Sequence, residues 1–133
     1  MRDKLLIYTF AAVFLIGLVH WVAEFFYLYW TVWWFDNLAH FLGGLAIGLF
    51  SFWIFKIFYT FKQVPSLRNV ICIIVFLTFV VGLGWEVFES VNDIGFAPSL
   101  GETYWQDTSY DLLADILGAI VAGYIIFGKK LYD

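Results

Sequence analysis

Residues 112–127 read LLADILGAIVAGYIIF, an apolar stretch that contains one acidic residue, Asp115. A helix rises about 1.5 Å per residue, so a hydrocarbon layer of about 30 Å takes about 20 apolar residues to cross. Three further apolar stretches of near-spanning length precede this one, at residues 5–29, 38–61 and 70–91. The sequence therefore predicts an all-α fold: an integral membrane four-helix bundle, formed by a single transmembrane domain over residues 1–133.

The overall composition favours a membrane protein over other classes. Of the 133 residues, 63% are hydrophobic and 14% are charged, against roughly 25% charged in a soluble domain. The first apolar stretch follows basic residues, as in a signal peptide, but no small-x-small cleavage site comes after it, so we expect a retained helix. The single cysteine, Cys72, provides for neither an internal disulfide nor a thiolate metal site. The net charge of −4 gives no reason to expect a nucleic acid as partner.

Basic and acidic residues are segregated along the chain. All seven Lys and Arg residues lie near the chain ends or near the break between the second and third stretches. By the positive-inside rule these segments face the cytoplasm, so both termini are expected to be cytoplasmic. Nine of the eleven acids fall on the opposite side, which receives no Lys or Arg: Glu24, Asp36, Glu86, Glu89, Asp93, Glu102, Asp107, Asp111 and Asp115.

Each predicted span carries two metal-ligand side chains one helical turn apart, near its predicted outer end. The pairs are His20 with Glu24, Asp36 with His40, Glu86 with Glu89, and Asp111 with Asp115. Residues three or four positions apart share a helix face, and small residues such as Gly44, Gly82 and Gly118 continue these faces inward. Because small residues in membrane helices mark close helix contacts, we expect the pairs to point into the bundle and toward one another.

Carboxylates at membrane depth need compensation. Insertion scales give about 2.5 to 3.5 kcal/mol for each such group, so Glu24, Glu86 and Asp115 together cost on the order of 8 to 10 kcal/mol if nothing offsets them. The compensating species are protons, the two histidines, water or a bound cation. Imidazole with several carboxylates on facing helices is the ligand set of a divalent metal site, as in carboxylate-bridged bundles, although the Glu-x-x-His spacing of those bundles is absent.

We therefore predict a divalent metal ion, for which this ligand chemistry favours zinc, manganese or iron. The predicted ligands are Asp36, His40, Glu86, Glu89, Asp111 and Asp115, with His20 and Glu24 as additional candidates. Simpler roles stay open for some of these side chains. Asp36 could cap the second helix, and Thr108 with Asp111 has the spacing of a capping box. Capping does not account for Asp115, and an Asp one turn before His40 favours ligation by that histidine.

Three motifs carry a resemblance to a known family. They are Asp36-Asn-Leu-Ala-His40-Phe, Gly84-Trp-Glu-Val-Phe-Glu89 and Asp107-Thr-Ser-Tyr-Asp111-Leu-Leu-Ala-Asp115-Ile-Leu-Gly118. In this order they resemble the YjdF-like family of small prokaryotic inner-membrane proteins and, more distantly, the VanZ-like family, which is associated with glycopeptide-antibiotic resistance. The resemblance implies a multi-pass protein of the cytoplasmic membrane whose polar motif residues cluster together. The VanZ-like pattern has Gln at the position of Glu89 and Asn at that of Asp115, so the present site is more acidic.

Three classes of function stay open. The first is a metal-dependent hydrolase or transferase that acts on a lipid-linked substrate from the extracytoplasmic side, with Glu89 or alternatively Asp107 as general base. The second is a protein that binds or transports divalent cations or protons. The third is a structural or partner-binding membrane subunit, and association of the chain with copies of itself stays open in every class. Few polar residues continue toward the cytoplasmic half, which disfavours a transport pathway, whereas the clustered ionisable groups disfavour a purely structural role.

Overall fold

The computed structural model describes residues 4–58, 65–92, 101 and 103–132. In these ranges all regular secondary structure is helical: α1 (Lys4–Phe26), α2 (Leu28–Thr31), α3 (Phe35–Phe58), α4 (Leu67–Asn92) and α5 (Tyr104–Gly128). Helices α1, α3, α4 and α5 are long and apolar enough to cross a membrane. The prediction of an all-helical fold with four candidate membrane-spanning helices is confirmed. The cytoplasmic location of the termini stays a prediction.

Helix α3 lies at the centre of the bundle. It packs against α1, α4 and α5, most extensively against α5, and α4 and α5 also pack against each other. Helix α1 packs mainly against α3. Aromatic side chains of α1 such as Phe10, Phe14 and Trp21 are exposed, as expected for a helix that faces lipid. Helices α3, α4 and α5 therefore form the core of the bundle, and α1 flanks that core.

Glycines set the close approach of α3 and α5. A Cβ at Gly44 on α3 would overlap the backbone of Asp115 on α5, and a Cβ at Gly118 on α5 would overlap the backbone oxygen of Phe41 on α3. Both glycines are buried. Since any side chain at either position would push the helices apart, this contact depends on glycine and places Asp115 directly beside α3.

The first helix ends before the predicted limit of the first span. Helix α1 stops at Phe26, because Tyr27 adopts the left-handed conformation with φ of 57°. The chain then forms the short helix α2 before α3 begins at Phe35. Asp36 thus lies in the first turn of α3, where a carboxylate interacts favourably with the helix dipole.

Helix α5 begins earlier than the predicted span at residue 112. The Thr103 side chain accepts a hydrogen bond from the Gln106 backbone N–H, and the Gln106 side chain accepts one from the Thr103 backbone N–H. This capping box starts the helix at Tyr104. A capping box at Thr108 is therefore ruled out, and Asp111 lies inside the helix, well past its N-terminus.

Apolar side chains fill the end of the bundle away from the acidic pairs: Leu5, Leu49, Phe52, Val70, Ile74 and Ile126 are all buried there. The end of the chain folds back onto this core. Lys130 adopts a positive φ of 51°, and the backbone N–H of Leu131 donates to the Ile126 carbonyl at 2.8 Å. The Lys56 ammonium donates to the Leu131 carbonyl at 2.9 Å, so Leu131 is held against the bundle.

Candidate metal centre

The centre is organised around His40, in the second turn of α3 and 9% exposed. Its Nε2 lies 3.9 Å from Asp111 Oδ2, and its Nδ1 lies 3.4 Å from Asp115 Oδ1. Asp111 and Asp115 are one turn apart on α5, so their carboxylates reach the two nitrogens of one imidazole ring. The close contact between α3 and α5 brings these three side chains together.

His40 belongs to two groups of residues that could hold a metal ion. Asp36, His40 and Asp111 form the first group, and His40, Glu86 and Glu89 form the second. Within each group, one ligand atom per residue lies within 4.8 Å of the others. Atoms bonded to one ion at about 2 Å lie at most about 4 Å apart, which is comparable with this limit. Helices α3, α4 and α5 all contribute.

Two buried carboxylate oxygens fit a bound cation. Glu86 is 5% exposed and Asp111 is 1% exposed. Glu86 Oε1 and Asp111 Oδ1 are buried and accept no hydrogen bond from the described part of the chain. Leaving a buried acceptor without a partner costs about 1 to 3 kcal/mol, and more when the group is charged. The ligand chemistry and these two oxygens are therefore both compatible with a divalent ion.

Asp115 lies outside both groups, although it was predicted as a ligand. It is 3% exposed, and its Oδ2 occupies the space that a Cβ at Gly82 would take. A histidine that binds a metal through one nitrogen usually donates its other N–H to a carboxylate. The contact between Asp115 and Nδ1 of His40 suits this orienting role. The other nitrogen, Nε2, then faces Asp111.

The two additional candidates on α1 also lie outside both groups. His20 and Glu24 are exposed, and His20 Nδ1 lies 2.9 Å from the Tyr29 hydroxyl. Burial, and after it the negative charges of Asp36, Glu24 and Glu89, together raise the pKa of Tyr29 to about 12. The Tyr29 phenol therefore keeps its proton at neutral pH and lies between the α1 pair and the acidic cluster.

The two predicted bases differ in their relation to the centre. Glu89 is half-buried and belongs to the second ligand group. Asp107 is half-buried in the first turn of α5 and belongs to neither group. Two other acids predicted for this side, Asp93 and Glu102, lie outside the described residues.

Two neighbours of the centre were not singled out as site residues in the sequence. Thr108 has a buried hydroxyl without a hydrogen-bond partner in the described ranges, three residues before Asp111. A spacing of three residues indicates that Thr108 and Asp111 share a helix face, but the same spacing also fits a capping box. Tyr29 had no such signal, since its position depends on the left-handed turn at Tyr27.

Comparison with known proteins gives one family assignment. A family model described as "Predicted membrane protein (DUF2238)", which corresponds to the YjdF-like family, matches residues 4–130. No curated protein and no solved structure matches the chain. The resemblance to the VanZ-like family receives no support. Because the match covers nearly the whole sequence, the chain belongs to the DUF2238 family of predicted membrane proteins.

Proposed function

We propose that this multi-pass membrane protein is a metal-dependent hydrolase or transferase that acts on a lipid-linked substrate. The observation that carries the proposal is the pair of ligand groups that share His40 and combine it with carboxylates of three helices. An imidazole with several carboxylate oxygens suits zinc, manganese or iron. The proposed place of action is the extracytoplasmic face of a prokaryotic cytoplasmic membrane, as the distribution of basic residues favours.

The ligand roles follow from burial and contact. His40, Glu86 and Asp111 are the buried members of the two groups and would hold the ion, with Asp36 as a further ligand. A divalent ion bound there would offset the negative charge of the site and make a bound water acidic enough to ionise near neutral pH. Asp115 keeps the His40 ring oriented through Nδ1.

Glu89 is the proposed general base. It lies three residues after Glu86 on α4 and is half-buried, whereas Glu86 is buried. It is the half-buried member of the second ligand group, so when the buried residues hold the ion its carboxylate is left to take a proton from a nucleophile that enters the site. Asp107 is the alternative, because it is half-buried one turn before Asp111 and is not needed as a ligand.

The surroundings of the site favour a substrate that arrives from the membrane. Exposed tryptophans cluster at this end of the bundle: Trp30, Trp33, Trp34, Trp85 and Trp105. Side chains of this kind gather at the boundary between lipid and water. The site carries carboxylates and no Lys or Arg in the described ranges, so a phosphate-bearing substrate can bind only when a cation offsets their charge.

A transport pathway has less support. Outside the acidic cluster, the buried polar side chains of the described residues are Thr9 and Thr78. The opposite end of the bundle is filled by large apolar side chains such as Phe52 and Ile74. An ion path needs polar groups or water along its length, so the site is better suited to chemistry at one face than to passage through the bundle.

The decisive experiment compares Glu89→Gln with wild type. We expect both purified proteins to retain about one equivalent of metal by elemental analysis, while lipid extracts of cells that make the variant accumulate the substrate. Glu24→Gln is the matched control, because it removes an exposed carboxylate outside both groups, and its lipid profile should equal that of wild type. Identical profiles for all three proteins, with no turnover of phospholipids or polyprenyl phosphates, would show that the enzymatic proposal is wrong.

A further inference from the structure

We propose a second binding site, for the headgroup of an anionic phospholipid, at the end of the bundle opposite the metal centre. A cavity of about 330 Å³ lies there between the start of α1 and the end of α5. It is lined by Lys4, Ile7, Tyr8, Lys129 and Leu131. This proposal is independent of the metal centre and of its function.

The polar lining selects an anion. Lys4 and Lys129 come from opposite ends of the chain and meet at one cavity. Both are exposed, and neither forms a salt bridge with any residue in the described ranges. The Tyr8 hydroxyl offers a further donor. Two ammonium groups and a phenol suit the oxygens of a phosphate group, since charge-assisted hydrogen bonds to such oxygens are short and strong.

The apolar lining favours a lipid over a soluble phosphate. Ile7 is 53% exposed, and Phe10 and Phe14 follow on the exposed surface of α1. Because α1 flanks the bundle, this surface is available to acyl chains. A phospholipid whose phosphate lies between the two lysines could therefore lay its chains along α1. Basic pockets between membrane helices are known to bind anionic headgroups in this manner.

The wall formed by Leu131 is fixed in the fold. Leu131 is 4% exposed, and its backbone N–H and carbonyl are bonded to Ile126 and Lys56 respectively. Lys130, with a positive φ of 51°, joins Leu131 to Lys129, which also lines the cavity. A ligand would thus meet a preformed wall, which lowers the entropy lost on binding.

The experiment uses the full chain in detergent micelles. Native mass spectrometry and thermal unfolding are recorded with phosphatidylglycerol, phosphatidylcholine or inorganic phosphate added. We expect phosphatidylglycerol alone to be retained and to raise the unfolding temperature. Lys4→Gln and Lys129→Gln should each weaken retention of phosphatidylglycerol by roughly fivefold.

Two controls make the result specific. Arg68→Gln removes an exposed charge at the start of α4 that does not line the cavity, and it should bind phosphatidylglycerol as wild type does. Lys129→Arg keeps the charge and should also retain the lipid. Circular dichroism of each variant without added lipid checks that it is folded. The proposal is overturned if Arg68→Gln weakens binding as much as Lys129→Gln, if phosphatidylcholine is retained equally, or if inorganic phosphate alone gives the same stabilisation.

Discussion

His40 has a carboxylate near each ring nitrogen, and the two contacts assign different roles to Asp111 and Asp115. Asp111 faces Nε2 and belongs to a ligand group with Asp36. Asp115 faces Nδ1, and its second oxygen lies against Gly82. A carboxylate at the second nitrogen fixes the tautomer and the orientation of a ligating imidazole. Asp115 is therefore a positioning residue for His40 under the proposed metal binding.

Asp115→Asn should weaken metal binding without abolishing it. The amide loses the negative charge that favours a donating Nδ1–H, and loss of such a partner typically lowers metal affinity by about 10- to 100-fold. The affinity is measured by competition with a chelating dye. Glu24→Gln serves as the control, because it removes an exposed carboxylate outside both ligand groups. An unchanged affinity in Asp115→Asn would contradict the positioning role.

Helical spacing in the sequence was sufficient to group the polar residues, and three of the four pairs meet around His40. It could not tell which carboxylate faces which nitrogen, because that depends on how α5 is placed along α3. It also could not show that His20 binds Tyr29, since the turn at Tyr27 follows from no residue pattern that we identified.

Among the helices, the contact between α3 and α5 controls the geometry of the site. Gly44 and Gly118 let the two backbones come so close that neither position has room for a Cβ. The small residues predicted this proximity, as membrane helices commonly associate through them. The start of α5 was harder to predict, because Thr103 and Gln106 cap the helix from a polar segment that precedes the apolar stretch.

Gly44→Ala should destabilise the protein, by about 1 to 3 kcal/mol, because the added methyl group overlaps the Asp115 backbone. Displacement of α5 should also weaken metal binding. Gly17→Ala is the matched control, since a Cβ at Gly17 meets nothing within 4 Å. Thermal unfolding in detergent compares the two variants. Equal unfolding temperatures would mean that the bundle tolerates separation of α3 and α5.

The whole molecule has two chemically opposite ends. The acidic centre lies where α3 and α5 begin and α4 ends, and the basic cavity lies where α1 begins and α5 ends. An apolar core separates them. The sequence predicted this polarity from the distribution of charge alone, because basic side chains near membrane helices are retained on the cytoplasmic side.

The predicted orientation can be tested with single cysteines after Cys72 is replaced by Ala. Ser66 precedes α4 at the basic end, and Asn92 ends α4 at the acidic end, and both are exposed. An impermeant thiol reagent added to intact cells should label Asn92→Cys and spare Ser66→Cys. Permeabilised cells, in which both should react, provide the control. The reverse labelling pattern would place the metal centre in the cytoplasm.

The order of helices in the chain has a consequence for biogenesis. A nascent chain that has inserted α3 and α4 already holds His40, Glu86 and Glu89, the second ligand group. Asp111 and Asp115 arrive only with α5, which follows α4 in the chain. Until then, the acids of α3 and α4 must reside in or cross the bilayer without the contact between Asp115 and Nδ1 of His40. Full assembly of the centre therefore waits for the insertion of α5, and loss of that helix would leave only the second ligand group.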